Sequence, residues 1–151
     1  MLHKSYVIIF VLLLTAVLFT AGTAVASSVD KVSKDNGGYV VTPGKSTPGE
    51  IVIMSISSSI TQGQYNLHYK TVSGFYLNMP VDLNWGNPSN SLRLKIYSPD
   101  GYTFGPFYDN FDGSNDGRVL VNIRNSNGIA QGTWICEVYG YSVTGTQSYT
   151  I

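Results

Sequence analysis

The sequence has little of the chemistry that a catalytic or transition-metal site needs. Cys136 is its one cysteine, so no disulfide can form within the chain. Of its two histidines, only His68 lies outside the N-terminal leader described below. One cysteine and one histidine cannot supply the four ligands of a zinc site. No Gly-x-Ser-x-Gly motif occurs that could present a nucleophilic serine. We therefore expect no enzyme activity.

Neither of these two residues has a neighbourhood in sequence that indicates catalysis. His68 alternates with Leu67 and Tyr69, and this parity places it on the polar, solvated face of a strand. Cys136 alternates in phase with Trp134 and therefore falls on the apolar side of its strand. We expect Cys136 to fill space in the core as a small apolar side chain.

Charge is also sparse, with nine Lys and Arg residues against nine Asp and Glu residues and a formal net charge of zero. A nucleic-acid-binding domain is expected to show a basic excess or a basic stripe. The balanced charge therefore predicts that nucleic acid is not a partner. What the sequence has instead is Tyr, Gly, Ser, Thr and Asn, a mixture that favours strands and turns.

The N-terminus reads as an export signal. Lys4 gives a positive start, 7–19 is almost uninterrupted apolar sequence, and Ala24-Val25-Ala26 is a small-x-small cleavage site. This order predicts a helical signal peptide over 1–26 that is cleaved before Ser27, and hence a secreted or cell-surface protein. The alternative is an uncleaved membrane anchor, because the apolar stretch approaches the ~20 residues that span a bilayer.

After the leader, 27–50 is rich in glycine and proline and is predicted to be a linker or lead-in, with a short strand at 39–42. From Ile51 onward, apolar and polar residues alternate with a period of two between turn signals, which predicts strands that cover a core on one side. The alternating runs are 52–56, 65–69, 77–83, 92–96 and 119–123. Residues 51–151 are thus predicted to form one antiparallel β-sandwich of jelly-roll type. Pro80 indicates an edge or a bulge in its strand.

Several of these runs also resemble a known family. They are Ile60-Thr61-Gln62-Gly63-Gln64, the strand 77–84 that ends at Trp85, Leu92-x-Leu94-x-Ile96-Tyr97-Ser98-Pro99-Asp100-Gly101, Gly132-Thr133-Trp134, and Tyr149. Together they resemble the bacterial and archaeal pre-peptidase C-terminal domain over roughly 57–151. That resemblance implies a small β-sandwich that accompanies exported enzymes in an auxiliary role. The chain departs from the family at Ser91 and Arg93, where members often carry acidic residues.

One acidic loop could bind a cation. Asp109, Asp112, Ser114 and Asp116 lie close together, and Asp-x-Ser-x-Asp-Gly matches the first half of a calcium-binding loop. The bidentate glutamate that an EF-hand needs is replaced by Ile123, so an EF-hand is excluded. A calcium site formed by these four residues therefore stands beside a second interpretation, in which their side chains cap local backbone groups.

Aromatic residues form the other candidate site. Tyr97, Tyr102, Tyr108 and Tyr141 fall near strand ends or on outward positions, beside the acidic loop. A tyrosine offers a flat apolar ring and a polar tip, which suits stacking on sugars or on an extended protein segment. The alternative is that these rings pack beneath a loop as part of the core.

These observations favour an exported, non-catalytic binding module that engages an envelope polysaccharide or an extended protein segment. Two other classes stay open. The protein could be a structural component of the cell envelope, which edge-strand self-association would reveal. It could also be a partner or regulator of a separately encoded secreted protease, a role that would follow from the family resemblance.

Overall fold

A computed structural model describes residues 37–44 and 56–151, which form an all-β structure. Its nine strands are β1 (Tyr39–Pro43), β2 (Ser57–Thr61), β3 (Tyr65–Val72), β4 (Asn78–Asn84), β5 (Ser91–Tyr97), β6 (Thr103–Phe107), β7 (Arg118–Asn125), β8 (Gly132–Ser142) and β9 (Thr146–Thr150). A single 3-10 turn, Asp109–Asp112, lies between β6 and β7. No helix within these described ranges is long and apolar enough to cross a membrane.

The strands form two antiparallel sheets. Sheet A has the order β1-β7-β4-β9-β2, and sheet B has the order β3-β8-β5-β6. Both sheets contribute to one hydrophobic core, because the alternating apolar residues of most strands point inward. The most deeply buried side chains are Ile60, Leu83, Leu92, Leu94, Ile96, Val119, Val121, Ile123, Trp134 and Val138. The predicted all-β fold with two packed antiparallel sheets is thus confirmed. The predicted signal helix 1–26 and the apolar residues 52–54 lie outside the described residues.

Strand β1 lies within the segment 27–50 that the sequence predicts to be a linker or lead-in, and it coincides with the short strand expected there. It pairs with β7 over its whole length. Tyr39 is buried in the core, where its hydroxyl donates to Asp100 Oδ2 (2.9 Å) and accepts from the Ala130 N–H (3.2 Å). Burial and the bond to Asp100 raise the pKa of Tyr39 to about 12. This contact attaches β1 to loops of sheet B.

Pro80 lies in β4, which has β7 on one side and β9 on the other. The Asn125 N–H donates to the Leu77 carbonyl, so the odd-numbered residues of β4 bond to β7 and Pro80 faces the opposite side. On that side β4 pairs with β9 at Asn84 alone. Pro80 therefore lies on an open stretch of the strand, where its missing N–H removes no ladder hydrogen bond.

Candidate functional site

Strand β3 presents its apolar side chains to the outside of sheet B. Tyr65 is 67% exposed, Leu67 42% and Tyr69 61%. The alternate residues Asn66 and His68 point inward and are half-buried. The expectation that His68 lies on a solvated polar face is therefore wrong, and so is the expectation that the apolar side of β3 covers the core.

The inward polar side chains of β3 are hydrogen-bonded by Tyr149 of β9. The Tyr149 hydroxyl accepts from Asn66 Nδ2 (2.9 Å) and lies 2.8 Å from His68 Nε2. The ring nitrogen and the hydroxyl form a hydrogen bond whose donor is set by the tautomer of the imidazole. Burial lowers the pKa of His68, which keeps the ring neutral. This network stabilises an edge strand whose inward face is polar.

The outward residues of three neighbouring strands form a continuous surface, which we call the outer face of sheet B. Its cross-strand rows follow from the register of β3, β8 and β5. The rows are Tyr65, Tyr139 and Arg93; Leu67, Glu137 and Lys95; and Tyr69, Ile135 and Tyr97. Tyr108 and Tyr141 lie beyond the first row. The surface is thus built on paired strands, apart from Tyr108, which lies in the connection between β6 and the 3-10 turn.

A polar network fixes the middle of this face. Arg93 Nη2 and the Tyr97 hydroxyl each donate to the Glu137 carboxylate at 3.0 Å. The Arg93 guanidinium also lies over the Tyr139 ring, 4.4 Å from its centroid. Burial, together with the bond to Glu137, raises the pKa of Tyr97. Tyr97 is therefore on the outer face, but its hydroxyl is already bonded.

Tyr108 and Tyr141 meet at one end of the face. Their ring centroids are 5.0 Å apart in an edge-to-face arrangement, and Tyr141 is 53% exposed. Tyr102, the fourth predicted ligand-binding residue, lies apart from them. Its ring is 5.7 Å from that of Tyr39 and packs against the core. Three of the four predicted tyrosines thus share one surface, and the fourth supports the attachment of β1.

The position of Tyr141 depends on a bulge in β8. Ser91 pairs with Ser142 and Leu92 pairs with Gly140, so Tyr141 is an extra residue in β8. Gly140 is required here because a Cβ at this position would collide with the Thr61 carbonyl oxygen. The close approach packs the end of β2 against β8 and turns Tyr141 outward.

The exposure of Tyr65, Leu67 and Tyr69 was not predicted from the sequence. Their alternation with polar residues predicts one buried side but does not say which side it is. A signal was present in the residue types, because tyrosine is the amphipathic choice at two of the three positions and tolerates exposure. The partner that stabilises the inward polar residues, Tyr149, lies about eighty positions away in sequence.

The acidic loop separates into two environments. Asp109 is 6% exposed, and its Oδ1 accepts from the N–H groups of Asp116 (3.2 Å), Gly117 (3.0 Å) and Arg118 (3.1 Å). These bonds connect the 3-10 turn to the start of β7. The carboxylate of Asp109 therefore organises the loop backbone, as the capping interpretation expects.

The other three predicted metal ligands, Asp112, Ser114 and Asp116, are exposed. Asp112 Oδ1 accepts from the Ser114 N–H at 3.0 Å, which is a local Asx turn. Within 37–44 and 56–151, no group of three or more His, Cys, Asp or Glu residues is arranged to hold a metal ion. Calcium binding by main-chain and side-chain oxygens of this loop stays a prediction.

Cys136 is buried in the core, as the sequence predicts. It lies directly opposite His68 in the β3–β8 pairing, a proximity that the sequence alone did not reveal. Burial raises the pKa of the thiol to about 11. The thiol is therefore protonated at neutral pH, and the thiolate that a nucleophile needs is absent.

A cleft of about 770 Å³ opens in sheet A where the chains of β4 and β9 separate beyond Asn84 and Thr150. Serine side chains of β2 and β9, together with Trp85 and Tyr149, line it. Both aromatic side chains are buried, and both use their polar atoms within the protein. The cleft therefore offers serine hydroxyls but no exposed aromatic ring, whereas the outer face of sheet B exposes several rings.

No protein-family model matches this sequence. An Archaeoglobus fulgidus protein whose description is "uncharacterized" is 42% identical to it over 52 residues, which make up 34% of this chain and 72% of that protein. The chain therefore belongs to the same family as this archaeal protein. The description of that protein names no activity.

Proposed function

We propose that this protein is an exported, non-catalytic module that binds polysaccharide through the outer face of sheet B. In this proposal the sandwich has jelly-roll topology and is a relative of the pre-peptidase C-terminal domain. The observation that carries the proposal is the exposure of Tyr65, Leu67, Tyr69 and Tyr141 on one side of a paired sheet. Exposed apolar patches of this kind are characteristic of interaction surfaces.

The chemistry of the face suits a sugar polymer. Tyrosine rings stack on the apolar faces of sugars, and their hydroxyls are available to hydrogen-bond the equatorial groups. Tyr65 and Tyr69 lie on the same strand face, about 13 Å apart at a rise of about 3.3 Å per residue. Two rings at that separation contact an extended chain at two points, which favours a polymer over a single sugar.

The charges of the face point to a neutral or weakly anionic ligand. Arg93 and Lys95 contribute two positive charges and Glu137 one negative charge, which leaves a net charge of one. The Arg93–Glu137 ion pair is 3.0 Å long and partly shielded from solvent. Lys95 is the one charged side chain of these rows that has no ion pair. A strongly charged polymer would therefore have a single free charge to bind.

The protein remains non-catalytic in this proposal because the face contains no histidine, no cysteine and no unpaired carboxylate. An extended protein segment is the alternative ligand, and it would use the backbone of β3 rather than its rings. Two further roles are a structural role in the envelope and the regulation of a secreted protease. The molecules that the protein captures distinguish these roles from binding of a polysaccharide or an extended protein segment.

The test uses the mature chain, which begins at Ser27, as bait for envelope polysaccharides and for proteins of the culture supernatant. We expect retention of polysaccharide, and we expect the double variant Tyr65→Ala/Tyr69→Ala to lose it. Tyr76→Ala is the matched control, because Tyr76 is an exposed tyrosine outside this face. Runs with calcium and with chelator test the calcium site predicted at 109–116.

Three results would count against the proposal. Retention of polysaccharide by the double variant would place the site elsewhere, for example at the cleft of sheet A. Capture of one secreted protease, without polysaccharide, would support the regulatory role. Hydrolysis of an envelope polymer by the purified protein would show that it is an enzyme.

A further inference from the structure

The backbone of β3 has one bonded side and one open side. Gly140 N donates to the Gln64 carbonyl, and positions 64 and 140 continue the β3–β8 register. Antiparallel partners bond at alternate residues, so the even-numbered residues of β3 bond to β8. The N–H and C=O groups of Tyr65, Leu67, Tyr69 and Thr71 therefore point away from β8. In the described part of the chain, β3 pairs with β8 alone.

Among the described strands, the β3 edge differs from the other open edges, of which three carry a proline and the fourth, β2, is only five residues long. Strand β6 is short, contains Pro106 and has a register shift in its pairing with β5. Strand β4 has Pro80 on its open stretch, and β1 ends at Pro43. Strand β3 pairs with β8 at all eight of its residues and contains no proline or glycine. Its one charged residue, Lys70, is on the inward side. Edge strands of this kind are templates for another strand.

We propose that two copies of this chain pair through β3, antiparallel, about a twofold axis at Leu67. In this register Leu67 lies opposite Leu67 of the second copy, and Tyr65 lies opposite Tyr69 of the second copy. All of these residues present open backbone groups, so the three facing pairs exchange about six N–H···O bonds. The apolar side chains meet on the outer face, where cross-strand aromatic and aliphatic pairs are favourable.

The occupant is a second copy because β3 is complementary to itself. Lys70 lies opposite the uncharged Gln64 of the second copy, so no like charges meet. Moving the axis to His68 would place two histidine rings side by side, and moving it to Lys70 would oppose two ammonium groups. The Leu67 register avoids both and keeps the outward apolar side chains of Tyr65, Leu67 and Tyr69 opposite one another.

Pairing joins two four-stranded copies of sheet B into one continuous sheet. The outer faces of the two copies become contiguous, which would let one polymer chain contact both and gain affinity by multivalency. The pairing itself does not require a ligand. A single pair of edge strands buries less area than a standard interface, so the dimer is weak and forms with increasing concentration.

The test measures the association of the mature chain by sedimentation over a wide range of protein concentration. The native chain forms dimers as concentration rises. Leu67→Lys and Leu67→Glu each place like charges opposite each other at the axis and weaken association about tenfold or more. An equimolar mixture of the two variants pairs Lys with Glu and restores the dimer, which also shows that both variants are folded.

Thr71→Lys is the matched control, because it adds the same charge to the same open edge but faces Gly63 of the second copy. We expect it to dimerise like the native chain. The proposal is overturned if the native chain stays monomeric at every concentration, if the single Leu67 variants dimerise normally, or if their mixture stays monomeric. The sedimentation samples contain no polysaccharide, so the measured association is independent of the proposed ligand.

Discussion

Strands β3 and β5 lie on either side of β8 in sheet B and have the same alternation of apolar and polar residues. They nevertheless face in opposite directions. Leu94 of β5 points inward and is 0% exposed, whereas Leu67 of β3 points outward and is 42% exposed. Strand β5 has neighbours on both sides, while β3 is an edge. Two strands with one pattern thus serve different purposes, since one builds the core and the other builds a surface.

The difference depends on what each strand meets inside the sandwich. The inward side of β5 meets the apolar side chains of the core. The inward side of β3 meets Tyr149, whose hydroxyl bonds to Asn66 and His68. Buried polar groups are tolerated when they are hydrogen-bonded, and their presence leaves the apolar side chains of β3 free for the outside.

The largest expected effect is a difference in the free energy of unfolding between variants of Leu94 and Leu67. Leu94→Ala removes a fully buried side chain and should lower the free energy of unfolding by about 2–5 kcal/mol. Leu67→Ala removes an exposed one and should change it by no more than about 0.5 kcal/mol. Urea unfolding of both variants measures the difference. Equal losses would mean that β3 also covers the core.

The sequence predicts much of this fold because most strands have one consistently apolar side. The alternation in β4, β5 and β7 correctly predicted strands whose apolar residues build the core. It could not assign the orientation of β3, because alternation is symmetric with respect to the two faces of a sheet. The decision depends on Tyr149, which follows β3 by about eighty residues and reaches it only in the folded protein.

A second contrast concerns two aspartates of one loop. Asp109→Ala removes a buried carboxylate that accepts three backbone N–H groups, and it should cost about 1–3 kcal/mol of stability. Asp112→Ala removes an exposed side chain with one local bond and should cost about 0.5 kcal/mol or less. Thermal or urea unfolding in chelator compares the two. Equal and small losses would show that the Asp109 bonds are not needed to order the loop.

The candidate site could be predicted only in part. Residue types are visible in the sequence, but the long-range contacts that distinguish similar residues are not. The sequence places Asp109 and Asp112 in one acidic run, and only the path of the chain to β7 buries Asp109 against three backbone N–H groups, while Asp112 keeps one local bond. Similarly, the tyrosine content indicated an aromatic surface, and three of its four predicted residues lie on one face. Tyr102 differs because β1 returns to pack against it.

A smaller effect concerns His68 and pH. Its pKa in the folded protein lies below the ordinary value of 6.5. The unfolded chain therefore binds a proton more readily, and stability is fully present above about pH 6.5 and falls as pH decreases toward the folded pKa. His68→Gln retains an acceptor for Tyr149 but does not titrate. Between about pH 8 and pH 5, the native chain should lose more stability than this variant. Parallel curves would contradict the buried, neutral histidine.

The smallest expected effect compares two tyrosines in one row of the outer face. Tyr97 of β5 donates to Glu137, whereas Tyr69 of β3 is 61% exposed. Tyr97→Phe should lower stability by about 0.5–1 kcal/mol, because Glu137 loses one of its two donors, and Tyr69→Phe should leave stability unchanged. If the face binds sugars through rings and free hydroxyls, the order reverses for binding: Tyr69→Phe weakens it more than Tyr97→Phe. Unfolding and polysaccharide retention, measured on the same two variants, would show whether β3 supplies the groups that bind the ligand and β5 the groups that stabilise the face. If one variant had the larger effect in both measurements, these separate roles of β3 and β5 would be contradicted.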